Sequence, residues 1–469
     1  MEFCNRVGRS VAAASLALSL LVGLASFSPR AEAQAAASAP EVAASSVAPA
    51  SAPAAAPSRP VRIAASQINS GDTAWMISAT ALVLLMTIPG LALFYAGMVR
   101  KKNILATMAQ VVAVCALVSL LWFAIGYSLA FMPGSPLIGD LSARFLDSLY
   151  FDKGTGLVSV HHLATNIPES VFVMFQMSFA IITPALIVGA FAERMRFSAL
   201  LWFMALWSLL VYAPVAHWVW EPSGWLAARG MLDFAGGTVV HINAGAAGLV
   251  CAWMLGKRVG YGQVPLMPAN LAYTMVGAAL LWVGWMGFNG GSAAAADGRA
   301  GLAILVTQLA ASAAALSWML AEWMMRGRPS LLGLCSGAVA GLVAITPASG
   351  FVDAKSAVLI GALAGIGCYW GATGLKRLLG VDDSLDVFGV HGIGGLIGAL
   401  LTGVFASVPI GGSPGSLLTQ AIGAFSTLLY SAVATWLILW VINLVIGLRV
   451  TPQHERDGLD LSQHGERVE

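Results

Sequence analysis

Apolar stretches long enough to cross a bilayer recur along this chain, and no other feature constrains its fold as strongly. A hydrocarbon core of about 30 Å needs roughly 20 helical residues. Stretches of that kind fall at about 73–98, 104–131, 170–192, 198–218, 234–256, 269–293, 300–325, 331–350, 355–374, 387–407 and 418–447. With no water in that core, each segment must satisfy its own backbone polar groups, which selects helices. The expectation is an all-α polytopic membrane protein of about 11 transmembrane helices. Composition agrees: 10% of the 469 residues are charged and 58% hydrophobic, too little charge to cover a soluble surface. A net charge of +2 gives no reason to expect nucleic acid. Cys4, Cys115, Cys251, Cys335 and Cys368 show no metal-ligand spacing and are read as packing residues in apolar runs.

The connectors set an orientation. Arg100-Lys101-Lys102, Arg194 and Arg196, Lys257-Arg258, Arg326 and Arg328, and Lys376-Arg377 follow alternate spans, while the opposite connectors carry only scattered Arg and Lys. Basic loops stay in the cytoplasm, so the N-terminus is expected outside and the C-terminus inside. The first residues agree: Arg6 and Arg9 precede an apolar stretch from Val11 to Phe27, followed by small-residue cleavage patterns at 31–33 or 33–35. Residues 1–35 read as a secretory signal peptide. Residues 36–70 are rich in Ala, Pro and Ser and read as a flexible linker. The membrane domain is then 71–447 and the cytoplasmic tail 448–469.

Within the domain one pattern occurs twice. Span five is approached by Asp233, with Val240-His241 eight residues on and Gly245 and Gly248 beyond; span ten is approached by Asp383, with Val390-His391, Gly395 and Gly398 at the same offsets. An odd number of spans separates the copies, so they run through the bilayer in opposite directions: two inverted five-helix repeats plus a final helix. Transporters built this way hold their sites near the midplane. Eight helical residues rise about 12 Å, so both histidines are expected near mid-membrane, one from each side. An imidazole there is costly without a partner or a pathway. Such a pair can relay a proton or line a narrow pore, and no third ligand for a metal accompanies it. Asp233 is either the N-cap of span five or a cation attractor.

Several long motifs in one order carry a resemblance: TIPGLALFYAG at 87–97, AERMRFS at 192–198, DFAGGTVVHIN at 233–243, GFNGGS at 287–292, RPSLLG at 328–333 and DVFGVHG at 386–392. From about residue 72 to the C-terminus the chain resembles the Amt/MEP/Rh ammonium transporter family, in its bacterial Amt branch. The resemblance implies that His241 and His391 are a pore histidine pair and that Phe179 and Phe288 gate the outer end. It implies an ammonium-recruiting site of Trp220, Phe179 and Ser292, with Phe175 and Trp285 flanking the pore and Asp233 in a structural role. The segment from Trp220 to Asp233 looks one residue longer than the family pattern, which leaves Trp225 as a competitor for Trp220. The resemblance further implies a homotrimer in the bacterial inner membrane, with a PII-type signal-transduction protein as partner of the tail. No cofactor is implied.

The chemistry has an independent rationale. A bare cation in the bilayer core costs tens of kcal/mol by Born estimates. Aromatic faces can hold ammonium at the mouth, for about 2 kcal/mol when desolvated, and neutral ammonia then crosses without the Born cost. Val259-Gly260-Tyr261-Gly262 echoes a potassium filter but follows Lys257-Arg258 in a basic connector, where no filter can sit. A neutral-gas channel and a signalling sensor are the remaining rivals; no nucleophile–base arrangement suggests an enzyme.

Overall fold

The computed structural model describes residues 58–468. The expected signal peptide, most of the expected linker and Cys4 lie outside the described residues. From residue 58 the stretch expected as linker is built into the fold. There β1 (Val61–Ala64) pairs antiparallel with β5 (Leu157–Val160), which also pairs with β4 (Phe151–Asp152). The Ala/Pro/Ser composition gives way at Val61-Arg62-Ile63 to an alternation of β-branched and charged residues that suits a strand. A second small ladder joins β2 (Gly134–Ser135) to β3 (Ile138–Gly139).

Ten helices among the described residues are long and apolar enough to cross a membrane: α1 (Ser70–Met98), α2 (Lys101–Phe131), α3 (Glu169–Phe191), α4 (Phe197–Trp220), α5 (Gly237–Leu255), α6 (Leu271–Gly291), α7 (Gly298–Arg326), α9 (Ala354–Leu379), α10 (Phe388–Phe405) and α11 (Leu417–Val445). Between α7 and α9 lies the shorter α8 (Leu331–Ile345). Asn69, Asn270, Asp297, Ser330, Asp353 and Ser416 each accept backbone N–H groups at the start of α1, α6, α7, α8, α9 and α11. Such polar caps satisfy donors that the first turn leaves without partners. The apolar stretch at 331–350 overstates α8, because Pro347 has no N–H to continue the helix. At 15 residues α8 is about 22 Å long, short of the hydrocarbon core. It is nevertheless buried from Gly337 to Ile345, so its ends need not reach the interfaces.

The two repeats meet reciprocally. A Cβ on Gly245 would lie 2.5 Å from the Cα and N of Gly392, and one on Gly395 would lie 3.0 Å from the backbone N of Ile242. Gly245 and Gly395 each follow a histidine by four residues; Gly392 and Ile242 each follow one by a single residue. The entries match too: Phe234 N donates to Pro347 O just beyond α8, and Ser384 N donates to Ala190 O at the end of α3. Because Arg258, just past α5, pairs with Asp382, just before α10, the two helices run antiparallel. Contacts in which each partner meets the other's equivalent residue mark a two-fold relation.

The crossing depends on glycine for close approach. A Gly245→Val protein is expected to lose about 1–3 kcal/mol through overpacking against backbone that has no rotamer to yield. Gly301→Ala, in open space, is the control. Thermal unfolding in detergent checks this, and equal melting of both variants would refute it.

The loops after α1, α3, α5 and α9 meet in one network. Glu193, between α3 and α4, accepts from Arg100 N at 2.7 Å, Asn103 Nδ2 at 3.0 Å and Arg258 at 3.1 Å. Its left-handed backbone, φ 75°, is unusual for a non-glycine residue and is held by these bonds. Arg258 also forks onto Asp382 at 2.8 and 2.9 Å. Burial pushes the Glu193 carboxyl up, but Arg258 and Arg100 outweigh it and hold the group below its ordinary range.

The tail docks on this face. Its short helix α12 (Pro452–Asp457) buries Glu455, which accepts from Val259 N and from Arg449 at 2.8 Å. Beyond it, Asp460 Oδ1 accepts from Ala106 N at 2.7 Å near the start of α2.

Candidate functional site

The two repeat-related histidines are neighbours. His391 Nδ1 lies 3.3 Å from His241 Nδ1, and the residues are 4% and 1% exposed. Each begins its helix within a π-helical turn, Gly237–Ile242 in α5 and Phe388–Gly392 in α10. Such widened turns free backbone groups and often mark functional positions. In a neutral pair one Nδ1 donates and the other accepts, so the two rings hold opposite tautomers. Relay through such a pair takes up a proton at the Nε2 of the donating ring, passes the Nδ1 proton across, and releases the Nε2 proton of the second ring, which leaves the tautomers exchanged. Among the described residues no cluster of three or more His, Cys, Asp or Glu side chains suited to a metal occurs.

Asp233 places His241. Its Oδ1 accepts from Gly236 N at 3.0 Å and Gly237 N at 2.6 Å, and its Oδ2 from Thr238 N at 2.9 Å and Val239 N at 3.1 Å. Every lone-pair direction is thus used by helix donors, the bonding pattern of a cap. Asp383 takes the equivalent place before α10, its Oδ2 accepting from Phe388 N at 2.8 Å.

From the pair a row of rings leads to the face carrying Trp220. His241 lies 6.2 Å from Phe288, Phe288 stacks on Phe179 at 4.2 Å and 26°, and Phe179 meets Trp220 edge-on at 5.9 Å. These residues come from α5, α6, α3 and α4. Trp285 stacks beside His241 at 5.4 Å and donates from Nε1 to Thr346 at 2.9 Å. Phe175 borders Phe179 at 5.0 Å. Trp225 is set apart from the row: its ring meets Trp218 at 5.7 Å. Trp220 Nε1 donates to Asp233 O at 2.9 Å, leaving the ring face for apolar or cationic contact. Ser292 Oγ donates to Phe288 O at 2.8 Å, so its lone pairs remain free to accept.

Two contributors were not singled out from sequence. Phe131, at the end of α2, lies nearly parallel to Trp220 at 6.3 Å and 10°. Thr346 fixes the Trp285 indole. Neither has a sequence signal, since one belongs to a generic apolar run and the other follows the end of α8.

A bundle of helices long and apolar enough to cross a membrane, with a row of rings running to a buried histidine pair, defines a polytopic membrane protein of transporter type. The chain belongs to the ammonium transporter family, whose model matches residues 74–469. It is 47% identical over 407 residues to an ammonium transporter of Bacillus subtilis, covering 85% of this chain and 98% of that one. It is 48% identical over 410 residues to one of Aquifex aeolicus, covering 86% and 94%. The crystal structure of Saccharomyces cerevisiae Mep2 superposes with a TM-score of 0.75 at 37% identity, covering 82% of this chain and 88% of that one.

Proposed function

We propose that this protein takes up ammonium across the bacterial cytoplasmic membrane by recruiting the cation at Trp220, Phe179 and Ser292, removing a proton, and passing ammonia along His241 and His391. The observation that carries this is the unbroken ring row from Trp220 to the histidine pair. An aromatic face and a hydroxyl lone pair suit a small cation that can still hydrogen-bond. Beyond the Phe179–Phe288 stack the surroundings are apolar rings, which oppose a charge and tolerate neutral ammonia. The abutting imidazoles offer one donor and one acceptor between them, enough to orient ammonia or carry its proton.

The proposal includes an outward N-terminus following a cleaved signal peptide and an inward C-terminus, supported by the basic connectors converging on one face. It also includes a homotrimer and a PII-type protein as partner of residues 448–469. The docked tail is a surface whose release such a partner can bias.

Purified protein in liposomes should give a current on an ammonium jump. His241→Ala and His391→Ala should abolish or alter that current, and Trp220→Leu should raise the half-saturating ammonium concentration several-fold. Wild-type current retained unchanged in both histidine variants would exclude the pair from the path. Absence of any current combined with a rise in internal pH would convert the reading to neutral ammonia conduction.

A further inference from the structure

The two faces of the molecule treat buried carboxylates differently. On the basic face three buried carboxylates have an arginine: Glu193 meets Arg100 and Arg258, Asp382 meets Arg258, and Glu455 meets Arg449, while Asp383 and Asp460 accept from backbone N–H. Near Trp220, Asp233, Glu169 and Glu221 have no arginine or lysine within ion-pair distance among the described residues; Asp233 is satisfied by four backbone N–H groups, the other two are not. Glu169, fully buried, accepts only from the hydroxyls of Tyr127 at 3.0 Å and Ser148 at 2.6 Å. Glu221 is 2% exposed, directly follows Trp220, and meets His162 Nε2 at 3.0 Å. Ser223 Oγ, at 3.5 Å from its other oxygen, is the remaining polar neighbour.

The pair is tied to the Trp220 ring through rigid packing. His162 abuts His161, with ring centroids 4.0 Å apart. His161 stacks on Phe172 at 4.2 Å and 11°, and its Nε2 bonds Phe131 O at 3.1 Å. Phe131 in turn lies parallel to Trp220. A brace of this kind needs a hydrogen bond but no charge, and a glutamine would serve. A buried carboxylate is costly unless its charge is used or compensated, and here the nearest proposed site binds a cation.

The geometry points to Glu221 as a positioning residue for recruitment, whose negative charge, held by His162 behind Trp220, sets how strongly the outer mouth concentrates ammonium. This rests on the recruitment reading above. The field of a carboxylate shielded by low-dielectric walls reaches the mouth more strongly than that of a solvated one. It acts on occupancy of the mouth and not on passage beyond the phenylalanine stack, so it should move half-saturation and leave the maximal rate alone.

The test is methylammonium uptake into vesicles carrying full-length wild type, Glu221→Gln, Glu221→Asp, Glu221→Ala or Trp220→Leu, at low salt and at about 0.5 M salt. Glu221→Gln should raise the half-saturating concentration several-fold with the maximal rate within two-fold. Glu221→Asp should recover most of the loss, and the difference should shrink at high salt because ions screen the field. Wild-type half-saturation in Glu221→Gln would overturn the inference and leave the residue a brace, a conclusion reinforced if Glu221→Ala alone loses folded protein. Those outcomes are separable from failure of the recruitment reading, which shows as Trp220→Leu with unchanged half-saturation. A Glu221→Gln defect equal at both salt concentrations would also count against a charge effect.

Discussion

Asp233→Ala is expected to yield little folded protein and no ammonium uptake. Its carboxylate satisfies four consecutive helix N–H groups and is 6% exposed, so water cannot replace it. Hydrogen bonds to a charged acceptor contribute about 1.5–3 kcal/mol each. Losing four therefore costs an amount comparable with the roughly 5–15 kcal/mol that holds a domain together. The damage falls on the turn Gly237–Ile242, which contains His241 two residues after Val239. Asp233→Asn separates folding from placement: one carbonyl oxygen survives, but the amide nitrogen opposes two backbone donors. That variant should fold with a lowered Tm and reduced uptake. Yield by size-exclusion chromatography, melting in detergent and vesicle uptake measure the three effects. An Asp233→Ala protein melting within a few degrees of wild type would show that the cap is dispensable.

This residue also shows where sequence sufficed. The recurrence of Asp, His and two glycines at fixed offsets locates the starts of α5 and α10, their inverse sense and the matching positions of the histidines along them, because helical rise converts offset into distance. The starts of α1, α6, α7, α8, α9 and α11, read from apolar stretches alone, fall close to the caps Asn69, Asn270, Asp297, Ser330, Asp353 and Ser416, which that reading did not use. What sequence could not convey was contact between distant residues of unremarkable type. Phe131 resembles any apolar residue until the fold lays it parallel to Trp220. Trp220 and Trp225 compete on motif alignment, and only the ring row separates them. His161 and His162 carry no sequence signal of burial, because hydropathy cannot reveal that the chain leaving β5 takes their rings into the interior. The roles of the site residues entered through the resemblance, since an aromatic in a membrane helix is ordinarily packing.

On the opposite face, Arg258→Met should cost about 3–5 kcal/mol, the usual penalty for removing one partner of a buried ion pair. Its side chain is 9% exposed and joins Asp382 and Glu193, both fully buried at their carboxylates. Val259, next in the chain, donates to Glu455, so the tail should loosen as well. Arg258→Lys keeps the charge but cannot fork onto Asp382 while reaching Glu193, and should fall between the two. A pH series identifies the cause. Burial raises the Asp382 carboxyl, but hydrogen bonding and charge from Arg258 outweigh it and hold the group below its ordinary range, as they do for Glu193. A carboxyl lowered in the folded state contributes stability that is complete above its unfolded value. That contribution is lost as pH falls through the folded value. Wild-type Tm should therefore drop between about pH 5 and 3. Arg258→Met, in which Asp382 loses its arginine fork and Glu193 keeps only Arg100, should start lower at neutral pH and change less over the same range. Parallel pH profiles for the two proteins would mean that Arg258 acts through packing of its stem, and that the charge network on this face does not hold the loops and tail together.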